Sequence, residues 1–186
     1  SHPGLSVVEG SVADQVIVAA AFADFKPTHV IHSAAAYKNP ADWIEDTRTN
    51  VEGTIHVVEA AKAAGKKLDV LVDLDVGDHR TGARKEQALA IAEQVDASEH
   101  LELRGLQAYS VVGSHAGGFE ERKRVSKEVF GYVGQVIGTM LRRGLSCEIL
   151  SGGSTGTWEI DTEVADLTEL QAGSYVLMDM AYRREG

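Results

Sequence analysis

The stretch of the sequence with the clearest chemical potential is Ser151–Thr157, a run of glycines and hydroxyl-bearing residues. It follows the apolar segment Cys147–Leu150, which has the composition of a buried strand. Glycines leave consecutive backbone N–H groups open to a ligand, and serine and threonine hydroxyls add further donors. The chemistry offered here is binding of a phosphate or another small anion, and the alternative interpretation is a glycine-rich turn filled by water.

The other ionisable residues suggest less. Asp73 and Asp75 share one face of a predicted strand, because side chains alternate along a strand. Two carboxylates on one face occur at acid–base sites and also on wet surfaces. His29 and His32 would lie on opposite strand faces, which does not suit a shared metal ion. With Cys147 as the single cysteine, the sequence predicts no metal site, and no catalytic residue is assigned.

Composition limits the kinds of partner. The chain has 186 residues, with 28 acidic against 18 basic side chains and a net charge of −10. That sign opposes binding to nucleic acids and to anionic membranes, so neither is expected as a partner. No window is apolar enough for a membrane span and the first residues do not resemble a signal peptide, which predicts a cytoplasmic protein.

Short apolar runs alternate with longer helical patterns, which predicts an α/β fold. We expect one domain over residues 1–186, with about six mostly parallel strands flanked by helices, as a Rossmann-like open sheet or a partial (βα) barrel. The predicted strands are Leu5–Glu9, His29–Ser33, Val70–Asp75, Leu101–Ala108, Cys147–Leu150 and Tyr175–Met178. The predicted helices run from Ser11 or Asp14 to Phe25, from Pro40 to Gly65, from Arg84 to Val95 and from Phe119 to Leu141.

The last of these helices contains three glycines, Gly131, Gly134 and Gly138. Each costs up to about 1 kcal/mol relative to alanine in a helix interior. We therefore expect close packing of this helix against the sheet to offset them.

Residues 3–65 carry three motifs in order. They are Val8–Asp14, Thr28–Ala36 and Thr49–Thr54. This part resembles the extended short-chain dehydrogenases/reductases, the sugar-nucleotide epimerases and dehydratases. The resemblance implies a Rossmann-derived fragment with the Ala34–Ala36 strand end facing a dinucleotide. The G-x-G-x-x-G turn and the Tyr-x-x-x-Lys pair of that family do not occur in this sequence.

Residues from about 60 to 186 carry four further blocks. They are Leu68–Gly82, Leu103–Tyr109, Cys147–Thr157 and Thr168–Asp179. This part resembles the fold-type III pyridoxal-phosphate enzymes of the D-threonine aldolase and D-serine dehydratase type. The resemblance implies the last four strands of an eight-stranded barrel. It also implies that the cofactor lysine and the metal ligands belong to parts of that family which this chain does not contain.

The second resemblance assigns roles to particular residues. It implies a loop around the cofactor phosphate that consists of Gly152, Gly153, Ser154, Thr155 and Gly156. It also places Arg80, Tyr109 and Tyr175 near the cofactor. The alternative for Arg80 is a surface salt bridge with Asp75 or Asp78, and the alternative for the tyrosines is capping of the core.

A junction between the two resemblances is expected within residues 59–72, where a helix followed by an apolar strand fits both families. Residues 1–65 would then be Rossmann-derived and residues 66–186 half-barrel-derived. Because both parent families lack their catalytic lysines here, the sequence predicts an engineered or recombined chimera without native catalysis that retains an anion-binding loop. The alternatives are a pyridoxal-phosphate-dependent aldolase or lyase acting on D-amino acids, and an NAD-binding epimerase-like module.

No resident cofactor is expected under the first interpretation. Pyridoxal phosphate, inorganic phosphate and sulfate are the ligands that the loop could hold. The sheet edges that a half-barrel exposes favour a homodimer as the further partner.

Overall fold

The computed structural model describes residues 4–32, 34, 36, 39 and 41–176, except for the side chain of Tyr175. The chain divides into two compact units, residues 1–68 and residues 69–186. The organisation as one domain and the junction within 59–72 stay predictions, because a division into units does not test either of them.

The described part of the first unit is helical. Its elements are α1 (Gln15–Phe25), α2 (Trp43–Asp46), a π-helical segment (Thr47–Glu52) and α3 (Gly53–Ala63). Asp14 caps α1 as predicted, since its carboxylate accepts hydrogen bonds from the N–H groups of Val16 at 2.9 Å and Ile17 at 3.3 Å. The helix predicted between Pro40 and Gly65 is present as three successive helical segments, and α1 packs against α3.

Two predicted strands are wrong. The segments Leu5–Glu9 and His29–His32 form no strand among the residues that the structure describes, and Ser33 lies outside them. Val7 is 77% exposed and Ile31 is 92% exposed, so these side chains pack on no sheet. Their β-branched residues are compatible with a half-buried sheet surface. A strand forms only if it also pairs with a neighbouring strand.

The second unit contains a four-stranded sheet with the order β1-β2-β3-β4. The strands are β1 (Leu68–Asp73), β2 (Leu101–Ala108), β3 (Ile149–Gly152) and β4 (Glu169–Leu170). The pairs β2–β3 and β3–β4 are parallel, with Gly105 opposite Ile149 and Ser151 opposite Glu169. The predicted α/β class is thereby confirmed, although the described residues contain four strands instead of six.

Helices connect these strands. They are α4 (Lys85–Asp96), α5 (Val111–Ser114), α6 (Phe119–Arg142) and α7 (Trp158–Asp161). A 3₁₀ turn at Ser174–Val176 stands where the strand Tyr175–Met178 was predicted, and Leu177 and Met178 lie outside the described residues. In the described part of the chain, no helix has the length and hydrophobicity needed to cross a bilayer.

Gly105 lets β2 change register within its length. Its φ is 144°, and a Cβ at this position would lie 2.0 Å from the carbonyl oxygen of Ile149. Leu103 is buried before the glycine, and Leu106 and Ala108 are buried after it. One glycine in a conformation that other residues avoid thus keeps the apolar side chains of β2 on the core side.

The core of the second unit lies between the sheet and the helices α4 and α6. Its fully buried members include Leu74, Ala92, Leu106, Val133 and Met140. The close packing expected at the glycines of α6 is wrong, because a Cβ at Gly131 or Gly134 would meet nothing within 4 Å and one at Gly138 only the guanidinium of Arg142.

Candidate functional site

The loops that follow the strands of the second unit meet at one edge of the sheet, as parallel strands require. Asp78, in the loop after β1, accepts a hydrogen bond from the hydroxyl of Ser110 at 3.1 Å and another from the N–H of Val111. These two residues directly follow β2. The carboxylate of Asp78 therefore ties the first strand loop to the second.

The glycine-rich loop after β3 continues this layer. A Cβ at Gly156 would lie 2.5 Å from the carbonyl oxygen of Ser114, so the loop backbone lies directly against α5. On its other side, Thr155 Oγ1 accepts a hydrogen bond from the N–H of Ser174 at 3.0 Å. Gln171 Nε2 donates to Ser151 Oγ at 3.0 Å. The loop is thus held on both sides by the segments that follow β2 and β4.

The structure brings Arg80 and Tyr109 together. The guanidinium carbon of Arg80 lies 5.7 Å from the centre of the Tyr109 ring, within cation–π range. This arrangement replaces the alternative salt bridge, since Asp75 pairs with His79 and Asp78 binds Ser110 and Val111. The side chain of Tyr175, the third residue assigned to the cofactor, lies outside the described residues.

Two hydroxyls of the glycine-rich loop point inwards. Ser154 is 1% exposed and its Oγ lies 2.8 Å from Thr157 Oγ1. Thr157 donates to Asp161, and Ser126 on α6 donates to Asp161 Oδ1 at 2.5 Å. Ser154 was predicted as a ligand of the phosphate, and in this structure its hydroxyl is part of a buried network.

Asp161 is the buried acidic residue beside the loop that sequence reasoning missed. It is 1% exposed, and burial raises its pKa above the usual value, while the hydrogen bonds from Ser126, Thr157 and the Ser154 backbone lower it. Its position four residues after Thr157 was the available signal, because two residues at this spacing share one side of a helical turn.

The donors that remain for a ligand come from the backbone and from one serine. Within the described part of the chain, the N–H groups of Thr155 and Gly156 donate no hydrogen bond. Ser114 Oγ is fully buried and has no partner among the described residues. Because Thr155 and Gly156 are only partly buried, their N–H groups can pair with a small anion or with water, and the phosphate site stays a prediction.

A small cavity lies behind the loop. The volume in which the centre of a water molecule can lie is about 10 Å³, so the cavity is large enough for one water molecule. Its lining residues include Ser110, Ser126, Phe130, Gly153 and Asp161. No lysine is among the described residues of this lining.

A second polar cluster follows β1. Asp75 Oδ2 lies 2.7 Å from His79 Nδ1, and Asp75 also accepts from the N–H groups of Gly77 and His79. These hydrogen bonds, the one from the His79 side chain above all, lower the pKa of Asp75 to about 2. The pair lines an open pocket of about 450 Å³ together with Lys85 and Tyr132. Among the described residues, no group of three His, Cys, Asp or Glu side chains is arranged to hold a metal ion.

Comparison with known proteins shows the family. The model of the alanine racemase N-terminal domain matches residues 19–181. The chain belongs to the alanine racemase N-terminal domain family. This match confirms that residues from about 60 to 186 resemble the fold-type III pyridoxal-phosphate enzymes. The match begins well before the junction expected within 59–72, so a chimera is not shown, and the dehydrogenase/reductase resemblance of residues 3–65 stays a prediction.

Curated relatives that the chain matches are aldolases. A D-threonine aldolase from an Arthrobacter species is 35% identical over 134 residues, which are 72% of this chain and 35% of that protein. A 3-hydroxy-D-aspartate aldolase from Paracoccus denitrificans is 32% identical over 136 residues, which are 73% of this chain and 35% of that protein. The crystal structure of D-threonine aldolase from Filomicrobium marinum matches with a TM-score of 0.65 at 32% identity, over 72% of this chain and 37% of that one.

These relatives correct the functional prediction. An engineered or recombined scaffold without native catalysis is wrong as the main interpretation, because proteins about one third identical to the domain are aldolases. The domain spans about a third of the length of the curated relatives that it matches.

Proposed function

We propose that the chain is part of a pyridoxal-phosphate-dependent aldolase acting on β-hydroxy-D-amino acids. The observation that carries the proposal is the glycine-rich loop after β3, with unpaired donors at its tip, in a chain whose relatives are D-threonine and 3-hydroxy-D-aspartate aldolases. Because the chain spans about a third of those proteins, the activity of the whole protein is part of the proposal.

The described residues fit the cofactor at two points. The N–H groups of Thr155 and Gly156 would bind the phosphate, with Ser114 Oγ as a further donor beside them. Arg80, stacked on Tyr109, would lie against the pyridine ring, where a guanidinium that stays protonated can orient the ring but cannot act as a base. Gly152, Gly153 and Ser154 would shape the loop, and Tyr175 is retained from the resemblance.

Pyridoxal phosphate, when bound, supplies a ring that withdraws electrons from the α-carbon of an amino acid. The contribution of this chain is to bind and orient that ring. The hydrogen bonds that Asp78 accepts from the loop after β2, and the one that Thr155 accepts from Ser174, hold the binding groups in place before the ligand arrives.

Binding and cleavage can be tested on the purified chain. Equilibrium dialysis with pyridoxal phosphate and with pyridoxal, which lacks the phosphate, measures the part that the loop contributes. We expect saturable binding of the first and binding of the second that is at least about tenfold weaker, since charge-assisted hydrogen bonds are lost. Cleavage of D-threonine is then followed as acetaldehyde release, with L-threonine and free cofactor as controls.

Faster release from D-threonine than from L-threonine, and above the rate of the free cofactor, supports the proposal. Equal affinities for pyridoxal phosphate and pyridoxal, or no saturable binding of either, would refute it. Borohydride reduction followed by mass spectrometry tests whether a lysine of this chain holds the aldehyde carbon of the cofactor.

Two further proposals rest on the sequence. The strands β1 and β4 each have one unpaired edge within the described sheet, so we propose a homodimer formed through these edges. Light scattering after size exclusion measures the mass, and a monomer at micromolar concentration would contradict this.

The cytoplasmic location and the absence of nucleic-acid and membrane partners are proposed from composition alone.

A further inference from the structure

The buried carboxyl group of Asp161 has no role in the proposed function as stated above. It receives hydrogen bonds from Ser126 on α6, from Thr157 and from the backbone of Ser154. A Cβ at Gly153 would lie 2.7 Å from Asp161 Oδ2, so the carboxyl group lies directly beneath the backbone of the glycine-rich loop. The loop that is proposed to bind an anion is thus in contact with the carboxyl group of Asp161.

The surroundings of Asp161 are polar, and no charged neighbour is among the causes that shift its pKa. The causes that shift its pKa are burial and the three hydrogen bonds, and burial is the largest. The charged residues nearest in sequence on the packed elements are Arg122, one turn before Ser126 on α6, and the exposed Glu159 and Glu163. Burial without an ion pair favours the neutral form of a carboxyl group.

The three hydroxyl and carboxyl groups form a chain whose direction depends on one proton. When Asp161 is ionised, the Thr157 hydroxyl must donate its hydrogen bond to the carboxylate. The Ser154 hydroxyl then donates to Thr157 Oγ1. When Asp161 is protonated, it can donate to Thr157, which then donates to Ser154.

We propose that Asp161 is a positioning residue which holds the glycine-rich loop from below, and that binding of an anion to the loop is coupled to the uptake of one proton by Asp161. The coupling follows from charge, since an ionised carboxylate and a bound anion would lie on two sides of the same short loop. The proposal deepens the proposed function and rests on it for the position of the anion site.

Sulfate is a suitable probe because its charge is constant over the pH range of interest. Its affinity is measured by NMR titration of the wild type as the pH is lowered from neutral, where uptake of one proton predicts a rise of up to about tenfold per pH unit. Asp161→Asn removes the titrating group, so the sulfate affinity of this variant should not show the rise that comes from proton uptake by Asp161. Glu159→Gln is the matched control, because it removes one exposed negative charge from the same helix and should keep the wild-type profile.

Ser126→Ala provides a second variant that keeps the carboxyl group. It removes a donor to the ionised form, so the rise in affinity should move to higher pH by about one unit. Every other charged group is common to the wild type and Asp161→Asn, so the difference between the two profiles isolates Asp161.

The proposal is overturned if Asp161→Asn and the wild type have the same pH profile, if Ser126→Ala moves the profile to lower pH, or if the wild type binds no sulfate. None of these results depends on aldol cleavage. Sulfate binding with the expected profile but no saturable binding of pyridoxal phosphate would contradict the proposed function alone.

Discussion

Replacement of Gly156 by alanine perturbs the candidate site at its tightest backbone contact. The new Cβ would lie 2.5 Å from the carbonyl oxygen of Ser114, 2.9 Å from its Cα and 3.1 Å from its carbonyl carbon. All three are backbone atoms, which cannot move aside as a side chain can. Optimal contacts between heavy atoms lie at about 3.5 to 4.0 Å, so the loop and α5 must separate by about 1 Å.

That displacement has two measurable consequences. Overpacking of a closely packed site costs about 1 to 3 kcal/mol, so the free energy of unfolding should fall by that amount. The N–H groups of Thr155 and Gly156 move with the loop, and the affinity for pyridoxal phosphate should fall by at least about tenfold because charge-assisted hydrogen bonds are misaligned.

Urea unfolding and cofactor titration measure the two effects on the same protein. Gly131→Ala is the matched control, because its Cβ would meet nothing within 4 Å on the exposed side of α6. It should stabilise the fold by up to about 1 kcal/mol and leave the cofactor affinity unchanged. If the Gly156→Ala protein has wild-type stability and wild-type cofactor affinity, the loop does not pack against Ser114 as described.

Three further predictions concern the sheet and the acid after it. Gly105→Ala should lower the free energy of unfolding by about 3 kcal/mol or more, measured in urea, because its Cβ would clash with the Ile149 carbonyl at a φ of 144°; a loss below about 1 kcal/mol would contradict the described register. Leu106→Ala, at a side chain with 0% exposure, should cost about 2 to 5 kcal/mol in the same assay, and a near-neutral effect would place Leu106 outside the core. Asp75 has a pKa lowered to about 2, so its contribution to stability is present above its ordinary pKa of 3.8 and is lost as the pH falls through about 2. Because the His79 side chain is 70% exposed, this contribution is about 1 kcal/mol, and a comparison of wild type with Asp75→Asn at neutral pH and near pH 2 should show the difference disappear in acid.

Sequence reasoning worked best where the determining interactions are local. The N-cap at Asp14, the strand Leu101–Ala108 and the long helix from Phe119 depend on side chains within a few residues of each other. It failed for the segments Leu5–Glu9 and His29–His32, whose strand character required a pairing that is absent from the described structure. It also missed β4, because a strand of two residues has no periodicity to detect.

For the candidate site, the sequence located the glycine-rich loop, and the structure shows how its side chains are placed. The run Ser151–Thr157 lies at the end of a strand as predicted, and Arg80 and Tyr109 come together there. The roles of the cofactor residues stay predictions until ligand binding is measured. The functional prediction failed because it reasoned from catalytic lysines that were missing, and the kinship with aldolases overturned it.

The sequence by itself determined the α/β class, the helices and the place of the loop, since propensity, capping and hydrophobic period act over short distances. Only the tertiary structure decided that Asp161 lies beneath the loop, that Ser154 faces inwards and that Gly156 contacts Ser114. These contacts join the loop after β3 to α5 and α7. Their geometry depends on the packing of distant segments, which no local pattern in the chain specifies.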